Sequence, residues 1–118
     1  MTAQFQFIFD SARAAGLKAV ENAYVRPMVV TNEASGESWY VADGVCGFAW
    51  INVKPGTSKF ARWLKKAGLA RSDDYYGGVI ISVRDFNQSM QKKETYAYAF
   101  AKVLEENGIT ATAISRID

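Results

Sequence analysis

The apolar segment from Val79 to Val83, with the sequence VIISV, constrains the fold more than any other part of the chain. A run of this length is typical of a strand rather than of a helix. Apolar residues at nearly every position indicate a central strand that is covered on both faces. We therefore place this strand in the middle of a sheet.

Segments in which apolar and polar residues alternate predict the other strands of this sheet. Met28 to Glu33 and Ser38 to Ala42 are separated by turn-forming residues, which predicts a β-hairpin. Phe48 to Val53 alternates along its length and predicts a third strand that extends the hairpin sheet. A last strand is predicted from Thr110 to Ile117.

Three segments carry apolar residues at three- and four-residue spacing and predict amphipathic helices. They run from Phe5 to Ala23, from about Ser58 to Ala67, and from Asn87 or Ser89 to about Asn107. The order is helix, three strands, helix, strand, helix, strand. It predicts an α+β fold, with a mostly antiparallel sheet of about five strands and two or three packed helices.

Composition limits the chemistry that the chain can perform. Its 118 residues, 49% of them hydrophobic, suit a single domain over residues 1–118. It contains no histidine and one cysteine, Cys46, which excludes the usual zinc sites, an internal disulfide and a nucleophile activated by histidine. We therefore expect no catalytic residues, no metal and no cofactor. Cys46 itself is interpreted as a small buried thiol in a Gly-rich turn.

The N-terminal residues indicate where in the cell the protein is located. They lack a basic segment and reach Asp10 early, so no signal peptide is predicted. No apolar run approaches the roughly 20 residues of a membrane span. We expect a cytoplasmic protein with a reduced cysteine and no membrane partner.

Positive charge is concentrated between Asp43 and Asp73, an interval with six bases and no acid. Such a concentration is able to neutralise several phosphates and indicates nucleic-acid binding. The alternative is a solvated helix face, and no zinc-finger, RRM or helix-turn-helix motif accompanies the charges. Four of the bases share one face of the predicted second helix and are nucleic-acid-binding candidates: Lys59, Arg62, Lys65 and Lys66.

A second candidate site lies where the 79–83 strand leads into the third helix. A helix start offers free amide groups and the positive end of the helix dipole. The planar guanidinium group of an arginine is able to bind phosphate through two hydrogen bonds. We expect the final strand to return beside the 79–83 strand, with either direction of pairing left open. The alternative is simple helix capping. The candidate ligand-binding residues are Arg84, Asn87, Gln88, Ser89, Lys92 and Arg116.

Tyr98 is a candidate for partner binding. It shares a helical stripe with Gln91, Thr95, Lys102 and Glu105, which are polar and should face water in a monomer. An aromatic residue on such a stripe indicates a surface for a partner or for a second copy of the chain.

The chain contains the strings DGVCGFAWI at 43–51, YGGV at 76–79, QS at 88–89 followed by KE and YA, and SRID at 115–118. These four strings resemble small proteins encoded by bacteriophages and prophages. The resemblance runs roughly from Val41 to the C terminus. It implies an origin rather than an established activity. The activities that it implies are those of small phage accessory proteins, namely blocking a host defence by binding its protein or its nucleotide signal, or handling nucleic acid.

These observations favour a non-catalytic, phage-derived accessory protein that binds an anionic ligand, either a nucleotide signal or a nucleic acid. The alternative is a protein–protein inhibitor of a host defence or host enzyme, such as an anti-CRISPR. An enzyme ranks third, since its acids are dispersed along the sequence. They are Asp43, Asp73, Asp74 and Asp85. A host protein partner and a homo-oligomer such as a dimer both stay open.

Overall fold

The computed structural model describes residues 2–22, 28–32, 37–41, 47–84, 86 and 89–117. These residues form three helices and six strands. The helices are α1 (Thr2–Asn22), α2 (Lys59–Lys66) and α3 (Met90–Glu106). The strands are β1 (Met28–Asn32), β2 (Glu37–Val41), β3 (Gly47–Lys54), β4 (Arg71–Ser72), β5 (Val79–Ser82) and β6 (Thr110–Ile117).

The main sheet has four strands in the order β4-β5-β3-β6, and each neighbouring pair is antiparallel. The predicted α+β class is confirmed. The predicted hairpin also forms, as β1 and β2 pair from Met28 with Val41 to Asn32 with Glu37. The expectation that β3 extends this hairpin is wrong, because β1 and β2 form a separate two-stranded sheet and β3 pairs with β5 and β6.

The expectation that the final strand returns beside the 79–83 strand is wrong, because β6 pairs with β3 and not with β5. Both β5 and β6 are antiparallel to β3 and are therefore parallel to each other, so their C-terminal ends lie at the same end of the sheet. Strand β4 was missed because two residues are too few to show an alternating pattern.

The core lies between one face of the main sheet and the helices. Ala49, Ile51 and Val53 alternate along β3 and are buried with the inward residues of α3. Helix α1 runs antiparallel to α3, because Phe9 contacts Phe100, at 5.3 Å between ring centroids, while Gly16 further along α1 lies against Tyr96. Alternate residues of one strand thus face the helices.

Strand β5 lies inside the sheet, between β4 and β3, as predicted. The expected covering of both faces is confirmed only in part, because Ile80 is buried on the face away from the helices while Ser82 is exposed. Val79, Ile81 and Val83 join the core, whereas Ile80 and Ser82 line a cavity on the opposite face. Among the described helices, none is long and apolar enough to cross a membrane.

Candidate functional site

A cavity of about 880 Å³ lies on the sheet face that points away from the core. We call it the sheet groove. Residues from all four strands, from the 73–76 turn and from α3 line it. Its aromatic residues are Phe48, Trp50, Tyr75 and Tyr76, and its charged residues are Arg71, Asp73, Arg84, Lys93 and Arg116.

Strand register places two arginines beside Phe48. Arg116 of β6 is the direct partner of Phe48 in β3. On the other side of β3, Trp50 pairs with Ser82, and the Val83 N–H donates to the Ala49 carbonyl at 3.0 Å. Continuing this register by one residue places Arg84 opposite Phe48. Arg84, just beyond the end of β5, therefore forms one row with Phe48 of β3 and Arg116 of β6.

Two cations lie against the ring of Phe48, which is 38% exposed. The Lys93 Nζ is 5.4 Å from the ring centroid and the Arg116 Cζ is 5.8 Å from it. The face of an aromatic ring attracts cations at such distances. Phe48 thus holds positive charge at this end of the sheet groove.

Lys93 is a buried cation, with 5% of its surface exposed. Its Nζ donates to the Gly47 carbonyl at 3.2 Å. Removing an ammonium group from water is costly unless other groups replace the lost hydration, and the one carbonyl and one ring found among the described residues replace only part of it. Since Lys93 also lines the sheet groove, an anion bound there would complete its surroundings.

Gly47 allows α3 to come close enough to place Lys93. A Cβ on Gly47 would lie 2.6 Å from the Met90 Sδ and 2.7 Å from the Arg116 carbonyl oxygen. These distances are below any that real Cβ atoms show, so the start of α3 packs directly on the β3 backbone only because residue 47 has no side chain.

Trp50 and Tyr76 form an aromatic surface next to the cationic row. Their ring centroids are 6.1 Å apart, and Tyr75, 85% exposed, packs edge-on against Tyr76 at 4.7 Å. The Trp50 Nε1 is buried and has no hydrogen-bond partner within the described part of the chain. Flat aromatic faces of this kind suit stacking with a planar ring.

Asn52 holds the turn that carries these tyrosines. It is buried, and its Nδ2 donates to the Gly77 carbonyl at 2.8 Å and to the Val79 carbonyl at 3.3 Å. At the other end of the turn, the Asp73 Oδ2 accepts from the Tyr76 N–H at 3.0 Å. Both contacts position Tyr76 over the sheet.

The structure separates the predicted ligand-binding residues. Arg84 and Arg116 line the sheet groove together. Ser89 is the N-cap of α3, where its Oγ accepts from the Lys92 N–H at 3.3 Å, and neither Ser89 nor Lys92 lines the groove. Asn87 and Gln88 lie outside the described residues, as does Cys46.

Sequence reasoning missed Lys93, although the signal was present. Lys93 shares its helical face with Ala97, Phe100 and Leu104, which are all buried. A lysine at that spacing on the apolar face of a helix must be buried as well. The missed aromatic surface had a signal too, since Phe48 and Trp50 alternate with core residues of β3 and must point to the opposite face.

The basic residues of α2 are all exposed: Lys59, Arg62, Lys65 and Lys66. None of them lines the sheet groove. The helix begins after Ser58, whose Oγ accepts from the Ala61 N–H at 3.2 Å. Lys65 and Lys66 lie in the last turn, where positive charge favours the helix dipole. The four bases form a surface separate from the sheet groove.

Tyr98 is 71% exposed on α3, as its helical stripe predicted. Of the four dispersed acids, Asp73 lines the sheet groove, Asp74 is exposed, and Asp43 and Asp85 lie outside the described residues. Within the described part, no three residues of the metal-ligating types gather.

Comparison with protein-family models, with curated proteins and with solved structures finds no match for this chain. The geometry of the sheet groove therefore carries the functional argument.

Proposed function

We propose that this chain is a non-catalytic binding protein whose sheet groove takes an anionic ligand with a planar ring, namely a nucleotide or single-stranded nucleic acid. The observation that carries the proposal is the row of Arg84, Phe48 and Arg116 beside the aromatic surface of Trp50 and Tyr76. One end of the groove carries Arg84, Arg116 and Lys93, and the other is mainly aromatic, with Arg71 and Asp73 beside it. A nucleotide has the same two parts.

The cationic end suits phosphate. Arginine presents several N–H donors in a planar fork that matches phosphate oxygens, and Lys93 adds a buried charge beside them. The groove holds four basic side chains and one carboxylate, that of Asp73. Its net charge favours an anion.

The aromatic end suits a base. Stacking of a base on an aromatic side chain contributes about 1–3 kcal/mol and tolerates any sequence. An open sheet face with exposed rings is a known way for proteins to bind single strands. The volume of about 880 Å³ is also within the usual range for small-ligand sites.

The experiment is calorimetric titration of the purified protein with a panel of mononucleotides, cyclic nucleotides, ADP-ribose and a thymidine hexanucleotide. Mass spectrometry of the denatured protein would identify any ligand that co-purifies. We expect binding of at least one phosphorylated member and none of its nucleoside, because the arginines require the phosphate. Failure of every member to bind would contradict the proposal.

We further propose that the protein is an accessory protein of phage origin that acts in the host cytoplasm. The support is the likeness of its sequence strings to small phage proteins.

Inhibition of a host protein, such as a defence enzyme, is a second candidate function, and the exposure of Tyr98 favours it. Exposed tyrosines are frequent anchors of protein interfaces. Tyr98→Ala should weaken self-association in analytical ultracentrifugation, or capture of a host partner, without lowering the melting temperature. A monomeric wild type that recovers no partner would contradict this function and leave Tyr98 an isolated surface aromatic.

A further inference from the structure

A second, smaller cavity of about 330 Å³ shares a wall with the sheet groove. We call it the edge cavity. The shared wall consists of Arg71, Ile80, Ser82 and Arg84, which line both spaces. Beyond the wall, the edge cavity is bounded by Phe9 and Arg13 of α1 and by residues 68–70.

The edge cavity exists because β4 is short. Its two residues pair with Ile80 and Val79, so the part of β5 beyond Ile80 has no strand on this side. The chain before β4 cannot extend the pairing, since the Leu69 N–H donates to the Leu64 carbonyl at 2.9 Å and closes the end of α2.

The open edge presents backbone groups to the edge cavity. Peptide groups of successive residues in a strand point to alternate sides. The Val83 N–H points to β3, where it donates to the Ala49 carbonyl. The N–H and C=O of Ser82 therefore point the other way, toward the edge cavity, and supply one donor and one acceptor.

Three arginines surround the same space. Arg13 is exposed on α1, while Arg71 and Arg84 form the wall shared with the sheet groove. No carboxylate lines the edge cavity among the described residues. Phe9 and Leu69 contribute apolar surface. The edge cavity thus repeats the combination of the sheet groove, a cationic rim with an apolar floor.

We propose, resting on the proposed function, that the ligand is a single-stranded oligonucleotide that crosses the shared wall. One nucleotide lies in the sheet groove, the next lies in the edge cavity, and Arg71 and Arg84 contact the phosphate that links them. The Ser82 backbone then faces the edge of the second base. An acidic peptide added to β5 would also use Ser82, but it would leave the aromatic surface of Trp50 and Tyr76 without a role.

The test compares a thymidine mononucleotide, a dinucleotide and a hexanucleotide by calorimetry, on the wild type and on Arg13→Ala. We expect the dinucleotide to bind about tenfold more tightly than the mononucleotide, because it reaches both cavities. Arg13→Ala should remove most of this gain, lower the salt slope of hexanucleotide binding by about one, and leave mononucleotide affinity unchanged. Lys18→Ala, an exposed position on the same helix, is the matched control.

Equal affinity for the three nucleotide lengths, with no effect of Arg13→Ala, would overturn the inference. The proposed nucleotide site in the sheet groove would still stand. The inference would also be overturned if a polyglutamate peptide bound, if Arg13→Ala weakened that binding, and if oligonucleotide length gave no gain in affinity. That result would favour a peptide that pairs with β5 as an added strand. Failure of all nucleotides to bind would overturn the proposed function itself, and the inference with it.

Discussion

Arg84, two residues beyond the C-terminal end of β5, and Arg116 of β6 lie one on each side of Phe48. They are separated by 32 residues in sequence, the difference between their numbers, and meet only because β5 and β6 run parallel to each other on either side of β3. Two positive side chains in one row repel each other, and a bound anion would offset that repulsion. The row is therefore the place where substitutions test recognition most directly.

Arg84→Ala and Arg116→Ala should each weaken nucleotide binding by about tenfold to a hundredfold, because each removes a charge-assisted hydrogen bond worth about 1.5–3 kcal/mol. Both side chains are exposed, so the melting temperature of the free protein should stay almost unchanged. Titration calorimetry and thermal unfolding measure the two effects. Lys102→Ala, exposed on α3, is the control and should alter neither. If either substitution unfolded the free protein, we would conclude that the two arginines stabilise the fold and do not serve binding.

Lys93→Met should separate binding from stability. Methionine keeps the length of the side chain and removes the charge that is buried beside Gly47 and Phe48. Replacing a buried charge with an apolar side chain is often neutral or stabilising, so the melting temperature should be unchanged or higher. Nucleotide affinity should fall by about tenfold, as expected for a lost charged contact. A variant that is less stable but binds normally would show that Lys93 serves only the fold.

Tyr76→Ala should weaken binding by about tenfold or more, since it removes half of the aromatic surface that it forms with Trp50. Quenching of tryptophan fluorescence on titration gives an independent readout, because a base stacked on Trp50 changes the surroundings of its indole. The control is Tyr98→Ala, which removes an exposed tyrosine from α3 and should leave nucleotide affinity unchanged. Equal losses in both variants would argue against a specific stacking site.

Gly78→Ala should destabilise the protein by about 3 kcal/mol, and Gly77→Ala by about 1 kcal/mol. Both glycines have positive φ, 78° at Gly77 and 65° at Gly78, so alanine is strained at either position. Only at Gly78 would the new Cβ also collide with the Val53 carbonyl oxygen, whereas the space around Gly77 is open. Urea unfolding of the two variants measures the difference in their free energies of unfolding. Equal effects would contradict the close packing of this turn on β3.

Reversing the charge of Lys65 and Lys66 to glutamate tests the surface on α2. If this surface contacts a long nucleic acid, the salt slope of binding should fall by about two, one for each lost phosphate contact. Mononucleotide affinity should not change, because neither residue lines the sheet groove. Fluorescence anisotropy with labelled single-stranded DNA at several salt concentrations provides the slopes. An unchanged slope would leave the four bases of α2 as a solvated helix face.

The sequence predicted those features of the fold that depend on local periodicity. The bounds of β6 matched those expected from Thr110 to Ile117, and Ser89 and Ser58 begin their helices as caps. Both depend on neighbouring residues alone. Strand order does not, and for this reason the separate hairpin and the position of β3 between β5 and β6 were not foreseen.

The candidate site was only partly predictable for the same reason. Arg84 and Arg116 were selected for their chemistry, but the ring that lies between them could be assigned only once the register of β3 was known. Ser89 and Lys92 were selected from the position of a helix start, but neither lines the sheet groove, whereas Lys93 in the same turn of α3 does. Asn52 gave no signal, because its amide holds a turn about 25 residues away in sequence.

The alternation of β3 has a consequence for how this protein can evolve. Ala49, Ile51 and Val53 maintain the folded domain, while Phe48 and Trp50, the residues interleaved with them, line the sheet groove. A mutation at a groove-lining position leaves the packing between sheet and helices intact. Selection is therefore free to change the lining of the sheet groove through one set of residues while the other set preserves the structure.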